Sequence, residues 1–293
     1  MEILSGKTLS ETIEQELQAE VAQLNSQGIQ PGLTVIRVGE DPASEIYVRN
    51  KQKAAERVGI LAKEIHLSAS TTQDQLEAQV AAVNADPTVH GLLCQFPLPD
   101  GLNEERITHR IDPTKDVDCF HPHNFGLMAM GNPRFLPCTP AGVMEMLTRN
   151  KIETKGKRAV VLGRSNLVGR PMALLLGHHG ADATVTVCHS RTQDLPAVAK
   201  EADILIVAIG RPEWVGEDMV KKGAVVIDVG IHRVEDATRK SGYRICGDVR
   251  RNEVESLASA LSPVPGGVGL MTVTMLLKNT VNAARMRAED GIS

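Results

Sequence analysis

Strand-like and helix-like segments alternate along this chain in two successive runs. Short apolar, β-branched runs end at turn residues, and the segments that separate them carry apolar side chains at helical spacing. Because parallel strands need a crossover connection, usually a helix, this alternation predicts parallel sheets flanked by helices. The predicted strands are 33–38, 60–67, 91–95, 158–163, 183–188, 204–209 and 224–229, and the predicted helices are 8–28, 42–58, 72–85, 141–150, one that ends at 176, and 271–287.

The two runs predict two domains with an α/β fold. We expect residues 1–140 to form an N-terminal α/β substrate domain and residues 141–270 to form a C-terminal, Rossmann-like parallel sheet. Two long helices, near 141–150 and 271–287, are predicted to bridge the domains. The last helix, within 271–293, is predicted to return to the N-terminal domain.

Two stretches lack a regular pattern. Residues 100–140 are rich in Pro, Asn and His, and long irregular segments of compact proteins are often functional loops. Residues 232–243 are predicted to form an exposed loop that tolerates substitution.

Charge and composition exclude several classes of function. The net charge is −4 with no block of like charges, so the chain lacks the basic surface of proteins that bind nucleic acid or anionic membranes. No apolar run is long enough to span a bilayer and the N-terminus has no secretion or transit pattern, so we expect a cytoplasmic protein. The five cysteines are far apart and the paired histidines have no evident third ligand, so we expect neither disulfides nor a bound metal.

A glycine-containing turn follows the first strand of the second run. The segment Gly163-Arg-Ser-Asn-Leu-Val-Gly-Arg-Pro171 connects a predicted strand to a predicted helix, where a Rossmann phosphate-binding turn belongs, although its spacing is not G-x-G-x-x-G. Small residues let the backbone approach a pyrophosphate, and the helix N-terminus offers free N–H groups. A tight strand-to-helix turn would explain the string alone, but the surrounding strands favour a dinucleotide site.

The end of the next strand indicates which dinucleotide. NAD sites usually place an acidic residue there to bind the ribose 2′-hydroxyl, whereas this strand ends Cys188-His-Ser-Arg-Thr192. Arg164, Ser190 and Arg191 could instead bind a 2′-phosphate, because guanidinium groups match phosphate oxygens. The alternative is a solvated loop that carries two arginines. NADP is the predicted cofactor.

Polar residues of the first run suggest a catalytic face. Ser44, Tyr47 and Lys51 share one face of a predicted helix, and Gln95 ends a predicted parallel strand, where open α/β sheets bind ligands. Asp116 and Asp118 follow in the irregular segment. Spacing alone leaves the ordinary alternative open, in which a half-buried tyrosine lies beside a solvated lysine.

Five motifs in register give the chain a specific resemblance. They are Val38-Gly-Glu-Asp-Pro-Ala-Ser-Glu-Ile-Tyr-Val-Arg-Asn-Lys51, Gln95-Phe-Pro-Leu-Pro99, Lys115-Asp-Val-Asp118, Gly163-Arg-Ser-Asn-Leu-Val-Gly-Arg-Pro171 and Pro263-Val-Pro-Gly-Gly-Val-Gly269. Together they resemble the bifunctional methylenetetrahydrofolate dehydrogenase/methenyltetrahydrofolate cyclohydrolase family over essentially the whole chain.

The resemblance implies an oxidoreductase and hydrolase of one-carbon metabolism. Such an enzyme oxidises 5,10-methylenetetrahydrofolate with NADP and then hydrolyses the methenyl product to 10-formyltetrahydrofolate, a one-carbon donor for purine biosynthesis. The resemblance also implies a folate-binding role for the N-terminal domain, an NADP-binding role for residues 141–270, and a homodimer.

The same resemblance assigns residues. Lys51 matches the catalytic lysine and Gln95 its supporting glutamine, Tyr47 packs on the folate, and Asp118 holds the pterin. The implied catalytic residues are Lys51, Gln95, Tyr47 and Asp118; the cofactor-binding residues are Gly163, Arg164, Ser165, Ser190, Arg191 and Ile231; and the substrate-binding residues are Ser44, Tyr47, Asp118, Pro265, Gly266 and Gly267.

Two positions depart from the family pattern. Cys119 replaces a glycine after Lys-Asp-Val-Asp, and Leu270 replaces a proline after Pro-Gly-Gly-Val-Gly. A glycine position can require positive φ, which cysteine tolerates poorly, and proline fixes φ. These two positions leave open a dehydrogenase with a weakened cyclohydrolase step. Two further alternatives, independent of them, are a different two-domain NADP dehydrogenase and a non-catalytic dinucleotide sensor.

Overall fold

The computed structural model describes residues 1–289, except for the side chain at position 43. It divides into two compact units. The first unit combines Met1–Ser10 with Thr139–Thr272, and the second combines Glu11–Cys138 with the chain from Val273 onward.

The described chain follows the predicted alternation of strands and helices. The strands are β1 (Glu2–Ile3), β2 (Gly32–Val38), β3 (Leu61–Leu67), β4 (Gly91–Cys94), β5 (Arg158–Leu162), β6 (Thr184–Cys188), β7 (Ile204–Val207), β8 (Val225–Asp228), β9 (His232–Glu235), β10 (Tyr243–Cys246) and β11 (Ala260–Leu261). The helices are α1 (Gly6–Ser26), α2 (Pro42–Val58), α3 (Gln73–Ala85), α4 (Glu104–Arg110), α5 (Pro122–Ala129), α6 (Cys138–Arg149), α7 (Gly169–Gly177), α8 (Leu195–Ala199), α9 (Arg251–Val254) and α10 (Val268–Glu289).

The second unit is built on a three-stranded parallel sheet in the order β3-β2-β4. All seven residues of the central strand β2 are buried, as is typical of parallel strands covered on both faces. The chain leaves β2 at Gly39 and enters α2 through Asp41, whose side chain accepts a hydrogen bond from the Ser44 N–H. This cap and Pro42 fix where α2 begins, and therefore which residues face the carboxyl ends of the strands.

The first unit contains a six-stranded parallel sheet in the order β1-β11-β8-β7-β5-β6. From β5 the chain moves to β6 on one side and then returns to β7 on the other side of β5. Open α/β sheets bind ligands at the carboxyl ends of their strands at such a reversal of strand order. The two-domain α/β fold with a Rossmann-like parallel sheet is confirmed.

The N-terminus differs from the predicted domain assignment. Residues 1–140 were expected to form one domain, but Glu2 and Ile3 pair with Ala260 and Leu261, so β1 is an edge strand of the six-stranded sheet. The other predicted boundaries, and the bridging role of the two long helices, stay predictions. The segment predicted to return to the N-terminal domain extends to 293, and residues 290–293 lie outside the described residues.

Two stretches that were predicted to be irregular contain helices or strands in the structure. Within residues 100–140, α4 and α5 form, each with a side chain that caps its N-terminus. The predicted exposed loop 232–243 is wrong in part, because β9 pairs antiparallel with β10 to form a hairpin. In β9 half-buried and exposed residues alternate, but neither strand has a regular alternation of polar and apolar residues from which it could be predicted. Within residues 1–289, no helix has the length and apolar character needed to cross a membrane.

Candidate active site and cofactor cavity

Lys51 and Gln95 are in direct contact. The Lys51 amine donates a hydrogen bond to the side-chain oxygen of Gln95 over 3.0 Å. Gln95 follows β4 directly, and its amide nitrogen donates to the carbonyl of Phe96, which fixes the orientation of the amide. The pairing that the resemblance implied is therefore present in the fold, at the carboxyl end of a parallel strand.

Tyr47 and Ser44 lie on the same helix as Lys51. Tyr47 is 45% exposed and precedes Lys51 by about one turn of α2, so its ring is available to contact a ligand beside the amine. Ser44 is buried at the start of the helix, where its N–H group is bound by Asp41. Lys51, Tyr47 and Gln95 thus form one half-exposed group.

The loop that carries Asp118 is held by a buried aspartate. The Asp116 carboxylate accepts hydrogen bonds from the N–H groups of Phe120 and His121 and from the Asn124 amide. Burial raises the pKa of Asp116. Asp118, two residues later, is half-buried beside the thiol of Cys138, and burial together with this carboxylate holds the pKa of that thiol well above its usual range. The thiol is consequently neutral next to Asp118.

Cys119 adopts the conformation that a glycine would favour. Its φ is 61°, in the left-handed region, and its thiol donates to the carbonyl oxygen of Phe135 over 3.3 Å. The backbone turn after Asp118 is therefore retained with a side chain in place of the expected glycine.

Asn279 of α10 supports the same loop, and sequence analysis missed it. Its amide donates to the carbonyl oxygens of Val117 and Leu136, at 2.7 and 2.9 Å. One signal was available, because Asn279 interrupts the apolar stripe that contains Leu276, Leu277 and Val281.

The turn from β5 to α7 has the close backbone approaches of a phosphate site. Gly163 has a φ of 120°, and a side chain there would collide with the carbonyl of Ala208. A side chain at Gly169 would collide with the carbonyl of Gly163. The Ser165 hydroxyl accepts from the N–H group of Val168 at 3.1 Å, so it lies at the start of α7. This turn fits a pyrophosphate, because its backbone is exposed to a ligand at the N-terminus of a nine-residue helix.

A cavity of about 590 Å³ lies at the carboxyl ends of β5, β6 and β7. Its lining brings together four of the predicted cofactor-binding residues: Gly163, Arg164, Ser165 and Ser190. Arg191 and Ile231 lie outside this lining, and Ile231 is 51% exposed. The cavity is large enough for a ligand of cofactor size.

Sequence analysis assigned no role to several polar or aromatic residues that line this cavity. His189, Arg211 and Trp214 all line it, and the Arg211 guanidinium lies 5.9 Å from the centre of the Trp214 ring. The composition could have indicated Trp214, since it is the only tryptophan of a chain with few aromatic residues.

The segment Pro265–Gly267 precedes α10. Pro265 is exposed, whereas Gly267 is buried against the carbonyl of Pro263, where a side chain would collide. Gly266 has a φ of 102° and its carbonyl accepts from the N–H of Lys7. Leu270, where a proline was expected, is 42% exposed in the first turn of α10.

Comparison with known families decides the identity of this arrangement. Residues 4–118 match the catalytic domain of the tetrahydrofolate dehydrogenase/cyclohydrolase family, and residues 137–288 match its NAD(P)-binding domain. The chain belongs to the tetrahydrofolate dehydrogenase/cyclohydrolase family. The Lys51–Gln95 contact and Asp118 thus fall in the family's catalytic domain, and the cavity falls in its NAD(P)-binding domain.

Individual members of the tetrahydrofolate dehydrogenase/cyclohydrolase family agree with this assignment over the full chain. The chain is 52% identical to the bifunctional protein FolD of Prosthecochloris aestuarii, over 97% of this chain and 98% of that protein. The crystal structure of the bifunctional FolD methylenetetrahydrofolate dehydrogenase/cyclohydrolase from Campylobacter jejuni superposes with a TM-score of 0.93 at 47% identity, covering 98% of this chain and 99% of that one. The Trypanosoma brucei enzyme, solved in complex with NADP cofactor and inhibitor, gives a TM-score of 0.92 at 40% identity and covers 98% of both chains. The predicted family and the predicted class of cofactor are confirmed.

Proposed function

We propose that this chain catalyses two consecutive steps on tetrahydrofolate. It oxidises 5,10-methylenetetrahydrofolate to 5,10-methenyltetrahydrofolate with NADP, and it hydrolyses the methenyl product to 10-formyltetrahydrofolate. The observation that carries the proposal is the hydrogen bond from Lys51 to Gln95 within the segment that matches the family's catalytic domain.

The oxidation demands positioning more than proton transfer. When bound, NADP supplies a nicotinamide ring that accepts the hydride and its two electrons from the methylene carbon, leaving a methenyl cation. No base has to remove a proton in this step, so the chain contributes by holding the folate in place. Tyr47 presents an exposed ring for the folate, and the Asp118 carboxylate suits the N–H groups at the edge of a pterin. We assign Ser44, Pro265, Gly266 and Gly267 to folate binding by the resemblance.

The hydrolysis does require proton transfer. Water adds to the methenyl carbon, loses a proton, and a carbon–nitrogen bond of the five-membered ring then breaks with protonation of the leaving nitrogen. The Lys51 amine is the group placed to relay these protons, and Gln95 orients it through the 3.0 Å hydrogen bond. Gln95 is itself held by the carbonyl of Phe96, so the amine has a fixed neutral partner.

We propose NADP as the preferred cofactor. Gly163, Arg164, Ser165 and Ser190 converge on the cavity, and the strand β6 ends without an acidic residue that would bind a ribose 2′-hydroxyl. Arg164 and Ser190 supply donors for a 2′-phosphate. Arg191 and Ile231 remain assigned to the cofactor by the resemblance alone. We further propose a cytoplasmic homodimer that provides one-carbon units for purine biosynthesis.

One assay tests both activities. Purified protein is mixed with 5,10-methylenetetrahydrofolate and either NADP or NAD, and the reduced cofactor and the methenyl product are followed separately by absorbance. We expect reduction of NADP in preference to NAD, and hydrolysis of added methenyltetrahydrofolate above its spontaneous rate. Reduction with accumulation of the methenyl product would support a dehydrogenase with a lost hydrolytic step, whereas no reduction with either cofactor would exclude the dehydrogenase.

A further inference from the structure

Asp248 is a buried carboxylate that the proposed chemistry does not use. It is completely inaccessible to solvent, and it lies two residues after β10 in the first unit. Its carboxylate accepts hydrogen bonds from three consecutive backbone N–H groups, those of Ile209, Gly210 and Arg211, at 2.8, 3.0 and 2.9 Å. A single side chain thus binds the whole turn that follows β7.

The same carboxylate binds a second segment. The Nε2 atom of His232 lies 2.7 Å from one Asp248 oxygen, and His232 is the residue directly after Ile231. Asp248 therefore joins the turn after β7 to the start of β9. Charge-assisted hydrogen bonds of this kind are stronger than neutral ones, and burial strengthens them further.

A second buried carboxylate fixes Asp248 in turn. Asp228, at the end of β8, accepts from the N–H groups of Gly230, Asp248 and Val249 at 3.0, 2.9 and 3.0 Å. A side chain at Gly230 would collide with the Asp248 carboxylate, with its Cβ 2.5 Å from the carboxyl carbon. The backbone at Gly230 is therefore packed directly against the Asp248 carboxylate.

The turn that Asp248 binds is one wall of the cofactor cavity. Ile209, Arg211 and Trp214 line the cavity. The backbone N–H group of Trp214 donates to the backbone carbonyl of Asp248 at 2.7 Å. Arg211 in turn contacts the Trp214 ring. The position of this wall is set from behind by a residue that does not itself line the cavity.

We infer that Asp248, together with His232, is a positioning residue that holds the wall 209–214 and the segment carrying Ile231 in the arrangement that binds the nicotinamide dinucleotide. This inference rests on the proposed function, because it names residues that act on the same cofactor. Pre-forming the wall removes the cost of ordering it when the ligand binds, so loosening it weakens binding of the dinucleotide. Neither Asp248 nor His232 lines the cofactor cavity. Asp248 acts on the wall through its hydrogen bonds to backbone N–H groups, and His232 acts through its hydrogen bond to Asp248.

The test uses the single tryptophan as a reporter of binding. Trp214 lines the cavity, so bound NADPH should quench its emission by energy transfer, and a titration of the full-length protein gives a Kd without turnover. For Asp248→Asn we expect a Kd at least about tenfold higher, since one carboxylate oxygen is replaced by a donor that faces other donors. Asp203→Asn is the control, because the Asp203 carboxylate likewise accepts from a backbone N–H group and from a side chain, that of Lys221, but lies before β7, at the other end of the strand.

A second pair of variants keeps the test valid if Asp248→Asn does not fold. His232→Gln retains a donor for the carboxylate and should bind NADPH as the wild type does. His232→Leu removes the donor and should raise the Kd several-fold, by about the effect of one hydrogen bond to a charged group. Hydrolysis of added methenyltetrahydrofolate, which uses no dinucleotide, should stay within about twofold of wild type in all these folded variants.

The outcomes separate the two proposals. Equal NADPH affinity for wild type, Asp248→Asn and His232→Leu would overturn the positioning role while leaving the proposed function intact. An equal loss of affinity in His232→Gln and His232→Leu would also contradict it, because the hydrogen bond would then be irrelevant. No binding of NADPH or NADP by the wild type would instead count against the proposed function itself.

Discussion

The amine of Lys51 and the side-chain oxygen of Gln95 are 3.0 Å apart although 44 residues separate them in sequence. Lys51 is placed by a helix whose start is fixed by Asp41 and Pro42, and Gln95 is placed by the end of the parallel strand β4. Each side chain is thus positioned by a regular element of the fold. Proton transfer at a defined atom requires such precise positioning.

Replacing Asn279 should weaken folate binding through the loop that carries Asp118. Asn279→Leu removes the amide that donates to the carbonyls of Val117 and Leu136, and Val117 keeps a second donor, the Cys138 thiol. Loss of a donor to a buried carbonyl costs about 1–3 kcal/mol. We expect a lower free energy of unfolding in urea and a raised KM for the folate substrate. Asn282→Leu is the control, because the Asn282 side chain accepts a hydrogen bond from the exposed Arg285 on the same helix. An unchanged KM in a destabilised Asn279→Leu protein would show that Asn279 does not support the folate site.

Cys119 should show the energetic signature of a left-handed residue. Its φ of 61° is costly for any residue with a Cβ, so Cys119→Gly should be more stable than Cys119→Ala by about 1 kcal/mol. Both variants lose the buried thiol, so the comparison isolates the backbone term. Urea unfolding of the pair measures the difference, and a more stable alanine variant would show that the turn is not strained.

Arg164 should determine the preference for NADP over NAD. Arg164→Ala removes a guanidinium from the cavity lining, and we expect the Kd for NADPH to rise about tenfold or more while the Kd for NADH changes little. Arg191→Ala is the comparison, since Arg191 lies outside the lining, and should have the smaller effect. The Trp214 titration gives all four constants. A larger effect at Arg191 would transfer the phosphate contact to that residue.

Asp228 should make stability depend on pH. Burial is the main cause that raises the pKa of Asp228 to about 6, above its usual value near 3.8. A raised carboxyl pKa contributes stability below the unfolded-state pKa, and this contribution is lost as pH rises through the folded-state pKa. Relative to Asp228→Asn, the wild type should therefore lose about 3 kcal/mol between about pH 4 and pH 6 and change little above that range. Urea unfolding of both proteins across this range checks the sign, and parallel curves would contradict it.

The sheets were predictable because their signal is local. The strands β2, β5 and β7 are short apolar runs bounded by turn residues, and all their residues except Arg158 are buried. The two-residue strand β1 could not be assigned in this way. Its partner is β11, more than 250 residues away, and nothing in two residues specifies a partner so distant.

The candidate site was predictable only in part, for a similar reason. Lys51, Gln95 and Asp118 occur within motifs that can be recognised in order along the sequence. The turn at Gly163 requires a positive φ, which a glycine in the sequence already indicates. Asn279 and Asp248 belong to no such motif, and each is a single polar residue whose partners come from distant segments. Burial of a satisfied polar side chain is a property of the folded state, so its role becomes visible only with the structure.

The cyclohydrolase rate of Lys51→Met tests the assigned role of Lys51 most directly. Methionine keeps the length of the side chain but removes the amine, so the hydrogen bond to Gln95 and the proton relay are both lost. We predict that hydrolysis of added methenyltetrahydrofolate falls to its spontaneous rate, while the Kd for NADPH from the Trp214 titration stays within about twofold of wild type. Full hydrolytic turnover by the folded Lys51→Met protein would contradict the assignment of Lys51 and, with it, the central claim about this site.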